Sequence, residues 1–208
     1  MSFSLNEVEV TARKAARGAG YPWGLAEEAG RATRWLCAQG LPGCESLAAL
    51  LDADLAAALQ DHMPGGLESP WRGRAELCPL GTGAALSDSA ARVSGGTLDI
   101  ADVAQPMLFL PFVAAAARRL ETALSLAGPG FTAVTDGTTL SLAGTIPEAG
   151  TLTLRPAAMP HTGNQEQTRA APDSRAWQTL NRFAHRTYAP ATEESRLMGA
   201  GAGLSDND

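Results

Sequence analysis

Up to Pro64 the apolar residues recur at the spacing of a helix, and beyond it short alternating runs take over. Ser4 and Glu7 form an S-x-x-E pair, in which each side chain answers an unpaired backbone N–H at a helix start. Val8, Ala12, Ala15 and Ala19 follow at helical spacing, while Arg13 and Arg17 lie one turn apart on another face. Gly18-Ala-Gly-Tyr-Pro-Trp-Gly24 then breaks the pattern. A second helix is expected from about Leu25 to Gln39, with Leu25, Ala29, Ala32 and Leu36 on its apolar stripe and Gly40 as its stop. Glu27 and Arg31 stand at the pairing i,i+4 spacing on it. A third is expected over Glu45–Met63, where Pro64 closes it.

The remainder of the chain reads differently. Arg74–Leu80 and Thr97–Ile100 are expected strands, and Ala114-Ala-Ala-Ala-Arg-Arg-Leu120 favours a helix. Phe131–Thr135 and Thr138–Leu142 flank Asp136-Gly137, the signature of a hairpin with a type I′ turn. Thr122–Leu126 and Thr151–Leu154 alternate in the same manner and should extend that sheet. Residues 159–173 read as a long polar loop. Ser174 is the expected cap of a last helix carrying Trp177, Leu180 and Ala184, stopped by Pro190. The fold class is therefore α+β: an N-terminal helical region, then a small, mainly antiparallel sheet with covering helices, then an irregular C-terminal tail. One domain over residues 1–208 accounts for this order, with its natural seam between a helical subdomain (residues 1–64) and an α+β region (residues 65–208).

Composition narrows the function classes. A chain of 208 residues that is 45% hydrophobic buries a full core without disulfide or metal staples. Its net charge of −6 argues against nucleic-acid partners, which require a cationic footprint. The start carries neither a basic nor an apolar leader region, and the longest apolar run, Pro106–Ala117, is too short for a bilayer. Cys37, Cys44 and Cys78 lack CxxC spacing and neighbouring histidines, which fits reduced thiols and a cytoplasmic setting, with no metal site.

Three segments carry candidate chemistry. The turn Arg17–Glu28 places Tyr21, Trp23 and free helix N–H groups together; its plainer account is an αα turn with aromatic core plugs and carboxylates answering a helix dipole. Pro79-Leu-Gly-Thr-Gly-Ala-Ala-Leu86 resembles a dinucleotide loop but has Leu86 where the third glycine belongs, and too little chain follows for a crossover helix. No cofactor is expected. The third segment runs from His185 to Asp208. There Arg186 and Arg196 can grip a carboxylate, Tyr188, Thr192 and Ser195 can orient it, and His185 can move protons near neutral pH. Gly199, Gly201 and Gly203 leave backbone N–H groups open to a ligand or another chain. The plainer account is a solvated tail with its arginines paired to Glu193 and Glu194. His161, a lone histidine in the long loop, is a weaker candidate.

Ser4-Leu-Asn-Glu-Val-Glu9, Lys14-Ala-Ala-Arg-Gly-Ala-Gly20, Trp23-Gly-Leu-Ala-Glu-Glu-Ala-Gly30 and Arg34-Trp-Leu36 resemble an uncharacterised bacterial family, the domain of unknown function DUF3726. The closing strings Arg186–Arg196 and Gly199–Asp208 look like the end of the same family, so the resemblance spans the whole chain. It implies a free-standing cytoplasmic bacterial protein whose two ends belong to its design, and it implies no activity.

These readings lead to a small-molecule metabolic protein acting on an anionic metabolite through a lyase, isomerase or hydrolase step. Arg186, Arg196, Ser195, Thr192 and Trp23 would bind the substrate, with His185, Glu28 and Tyr188 as the catalytic set. The other reading is a non-catalytic accessory subunit, docked on a partner enzyme or on a second copy through Gly199, Gly201 and Gly203. With Lys14 as the only lysine, lysine-based covalent catalysis is disfavoured.

Overall fold

A computed structural model describes residues 1–93, 96–158 and 166–188. A short strand β1 (Phe3–Ser4) leads into α1 (Leu5–Gly18), whose start is the expected capping box: Ser4 Oγ accepts from the Glu7 N–H, and the Glu7 carboxylate accepts from the Ser4 N–H at 2.8 Å. Val8, Ala12, Ala15 and Ala16 form its buried face. The second helix, α2 (Trp23–Ala38), begins two residues earlier than the apolar stripe implies. Pro22 supplies the preset backbone at its N-cap, so Glu27 and Glu28 fall beyond the first turn and pair with Arg31 instead of answering the dipole.

The expected third helix is split. It runs as α3 (Gly43–Asp52), and a 3-10 segment Leu55–His62, itself kinked at Ala58, follows. Asp52 and Asp54 bring two carboxylates to a helix C-terminus, where the dipole disfavours them, and Asp54 turns left-handed with φ 57°. The expected strand Arg74–Leu80 is also absent. Leu77 makes a single bridge to Val103, and Pro79 opens α4 (Pro79–Ser89) because its missing N–H and preset φ suit a first helical position. The glycine-rich stretch is therefore helix interior. A Cβ on Gly83 would overlap the Phe112 ring, so the glycine is what lets the two elements pack closely.

The strand β2 (Leu98–Ala104) precedes a 3-10 turn at Pro106–Phe109 and α5 (Leu110–Leu120). Four more strands, β3 (Leu124–Gly128), β4 (Phe131–Thr135), β5 (Leu140–Gly144) and β6 (Ala149–Pro156), complete an antiparallel sheet of order β2-β6-β3-β4-β5. Strand alternation buries Phe131 and Ala133, and Leu152 and Leu154, on its inner face. The hairpin is present, but its turn is not the expected type I′. Thr135 pairs with Leu140, leaving four loop residues, of which only Gly137 has positive φ. Asp136 Oδ1 accepts from the Thr138 and Thr139 N–H groups at 2.8 and 2.7 Å, which closes the loop and holds its carboxyl below the usual aspartate range.

A last strand β7 (Arg169–Ala170) pairs with β1, and α6 (Ser174–His185) follows. Asp173, not Ser174, is its cap: one carboxylate oxygen accepts from the Arg175 and Ala176 N–H groups. Asp173→Ala should therefore cost about 1 kcal/mol in stability, measured by urea unfolding. Helices α1, α2, α3 and α6 pack together, and α5 lies between α2 and the sheet strands β3 and β4. A continuous apolar cluster links these layers from Val8 through Trp71, Phe109 and Leu126 to Leu180. Among the described residues no helix is long and apolar enough to cross a membrane.

Candidate functional site

The C-terminal ends of α1 and α6 meet. Gly18, the last residue of α1, lies against the Phe183 carbonyl and the Arg186 Cβ, an approach that only a residue without Cβ permits. This crossing brings Lys14, Arg17, His185, Arg186 and Tyr188 to one end of the helical layer. Lys14 Nζ donates to the Tyr188 hydroxyl at 3.3 Å and stands 5.1 Å from that ring's centre. The Arg186 guanidinium lies 4.5 Å from the Phe183 ring centre, and His185 meets Tyr188 edge-on at 5.4 Å. Arg17 donates to the Tyr21 carbonyl at 2.9 Å and covers Trp23 at 4.9 Å.

These cations differ from the five salt-bridged arginines. Arg31, Arg34, Arg74, Arg92 and Arg182 each pair with a carboxylate. Among the described residues, Lys14, Arg17 and Arg186 have no acidic partner and rest on aromatic faces. Such stacking orients a cation while leaving its charge uncancelled, so an anion gains the whole interaction. The C-terminal ends of two helices favour positive charge as well.

Of the residues singled out in the sequence, His185, Arg186 and Tyr188 lie at the end of α6, where His185 meets Tyr188, while Trp23 meets Arg17 at the end of α1. Trp23 is not the core plug of the plainer account: it is 65% exposed, whereas Tyr21 is buried with its hydroxyl 3.5 Å from the Cys78 sulfur. Burial and that neighbouring thiol push the Tyr21 phenol well above its ordinary range. Glu28 belongs to another side of α2. It accepts from Arg31 at 2.7 Å and lines a groove towards α5 with Trp35 and Arg118. His161, Thr192, Ser195, Arg196, Gly199, Gly201 and Gly203 lie outside the described residues. Lys14 and Arg17 are the members that motif reasoning passed over. Their i,i+3 spacing on the first helix was the available signal, since it puts two cations on one face. Among the described residues no cluster of three or more His, Cys, Asp or Glu side chains could hold a metal ion.

Fold and site together define an α+β protein with an antiparallel sheet, a helical layer and an exposed cation–aromatic surface at one end of that layer. The family described as Protein of unknown function (DUF3726) is matched over residues 3–94, so this stretch of the chain is similar to that family. The match takes in α1 to α4 with Lys14, Arg17 and Trp23, while the closing strings from Arg186 onward lie beyond it. No curated protein and no solved structure matches the chain.

Proposed function

We propose that this protein binds a small anionic metabolite at the α1–α6 crossing, as a cytoplasmic metabolic protein and a candidate lyase, isomerase or hydrolase. The observation that carries this reading is the set of three cations, Lys14, Arg17 and Arg186, held on aromatic rings without acidic partners among the described residues. Arg186 and Arg17 would grip a carboxylate or phosphate, and Tyr188 and Trp23 would flank it. His185, exposed beside Tyr188, is the group in reach of a transferable proton. Thr192, Ser195 and Arg196 follow directly in the chain and would complete the grip. Glu28, which faces the α5 groove, is a weaker partner for this chemistry than the sequence order suggests.

The test is binding of citrate and inorganic phosphate, measured by calorimetry on the full chain. Arg186→Ala should weaken the tighter of the two about 10- to 100-fold, the loss expected for one charge-assisted contact. Lys14→Ala with Arg17→Ala should remove binding. Equal affinities in wild type and all variants would sink the reading.

A second reading rests on a separate observation. Trp23 and Tyr188, at the ends of the α1–α6 contact region, are 65% and 54% exposed. That surface would suit an accessory subunit docked on an enzyme through this face and the glycine-rich end of the chain. Deleting residues 199–208 separates the two: loss of a co-purifying enzyme with anion affinity kept supports the subunit, and the converse supports the metabolite site.

A further inference from the structure

Cys37 occupies the last turn of α2, and Cys44 is the second residue of α3. The link between them folds back tightly, with the Leu41 N–H donating to the Leu36 carbonyl at 2.9 Å, and this sets the two sulfurs 3.9 Å apart. Both are thiols, and their surroundings differ. Cys44 is wholly buried, while Cys37, itself buried at 6% exposure, lines a cavity of about 350 Å³ between the α2–α3 turn and residues 167–172. The Cys37 sulfur shares a hydrogen bond with the Cys44 thiol at the start of α3. That hydrogen bond lowers the Cys37 thiol, and the same bond together with burial raises that of Cys44. Cys78 serves as an internal contrast: it is wholly buried, bonds the Tyr21 hydroxyl, and burial raises it.

We propose that Cys37 and Cys44 form a thiol–disulfide exchange site, in which Cys37 attacks a low-molecular-weight disulfide admitted through the cavity and Cys44 resolves the product. This inference is independent of the anion site at the α1–α6 crossing. In the first step the Cys37 thiolate attacks one sulfur of R–S–S–R, forming Cys37–S–S–R and expelling RS⁻. In the second the Cys44 sulfur attacks Cys37 Sγ and expels the second RS⁻, its proton passing to the departing thiolate. The protein dithiol loses two electrons and two protons to become a disulfide, and the small disulfide becomes two thiols. Arg169 and Glu45 on the cavity wall give the entering arm polar neighbours of both signs. A transient bridge of this kind suits a reducing compartment, where cysteine pairs are exchanged rather than locked.

The test uses the reduced full chain and bis(2-hydroxyethyl) disulfide, with acid quench, intact mass and peptide mapping. Wild type should lose the mass of two hydrogens, keep no adduct and yield a Cys37–Cys44 peptide, with Cys78 still a thiol. Cys44→Ser should stop at one adduct on Cys37, and Cys37→Ser should react at least about 10-fold more slowly at the cysteines that remain. Should either variant lack the native circular dichroism spectrum, the wild-type map decides alone, because in urea all three cysteines should react alike. Native wild type reacting at Cys78 as fast as at Cys37, or accumulating an adduct without the Cys37–Cys44 bond, would overturn the proposal.

Discussion

Trp71→Ala is expected to destabilise the protein by about 3–5 kcal/mol, a large share of the roughly 5–15 kcal/mol available to a domain of ordinary stability. Trp71 is 1% exposed, and it ties the irregular stretch after Pro64 to the sheet edge. Its N–H donates to the Asp99 carbonyl at 2.8 Å, and its carbonyl accepts from the Ala101 N–H at 2.9 Å. Truncation leaves those backbone bonds in place but opens a cavity where the indole stood, beside Leu98 at the wall of a surface pocket. The indole N–H has no partner among the described residues, so Trp71→Phe should cost far less, about 1 kcal/mol, because it removes an unsatisfied donor along with some volume. Urea unfolding of the two variants checks both values, and equal losses would show that the indole volume is not what the site uses.

Gly18→Ala is the second large effect, about 1–3 kcal/mol of lost stability. The added Cβ would overlap the carbonyl oxygen of Phe183, which is backbone and cannot rotate away. Relief requires α1 and α6 to separate, and that moves Tyr188 off Lys14. The same variant should therefore lose citrate and phosphate affinity, beyond what its stability change explains at a temperature where it remains folded. Gly24→Ala is the control. Its Cβ would meet nothing within 4 Å, and alanine in a helical turn should leave the melting temperature equal or raise it. A Gly18→Ala protein that melts with wild type would refute the close crossing.

How much of this was legible depended on whether a feature is local. The capping box of Ser4 and Glu7, the stripe of α2, and the paired strands around Asp136-Gly137 all rest on residues within a few positions of one another. Their outcome follows from sequence spacing alone. The misreadings share a different cause. Gly81 and Gly83 look like turn residues until Met63 and Phe112 are seen packed against them, and the alanine run after Asp52 looks helical until the carboxylates at its end are weighed. The strand expected at Arg74–Leu80 lost to Pro79, which competes by starting a helix.

The site divides along the same line. His185, Arg186 and Tyr188 were readable because one helix end delivers them within four positions. Their meeting with Lys14 and Arg17 was not, since it depends on two helices distant in the chain approaching through a glycine. Cys37 and Cys44 likewise carry no recognisable spacing, yet the fold-back between α2 and α3 sets their sulfurs within 3.9 Å. Sequence by itself determined most of the helices and strands, the α+β class and the arginine-heavy character of the cations, because hydrophobic period, capping and turn chemistry act over a few residues. Tertiary structure alone decided which cations go unpaired, that Glu28 and Trp23 face different neighbours, and which thiol meets which, because those outcomes belong to packing between elements far apart in the chain.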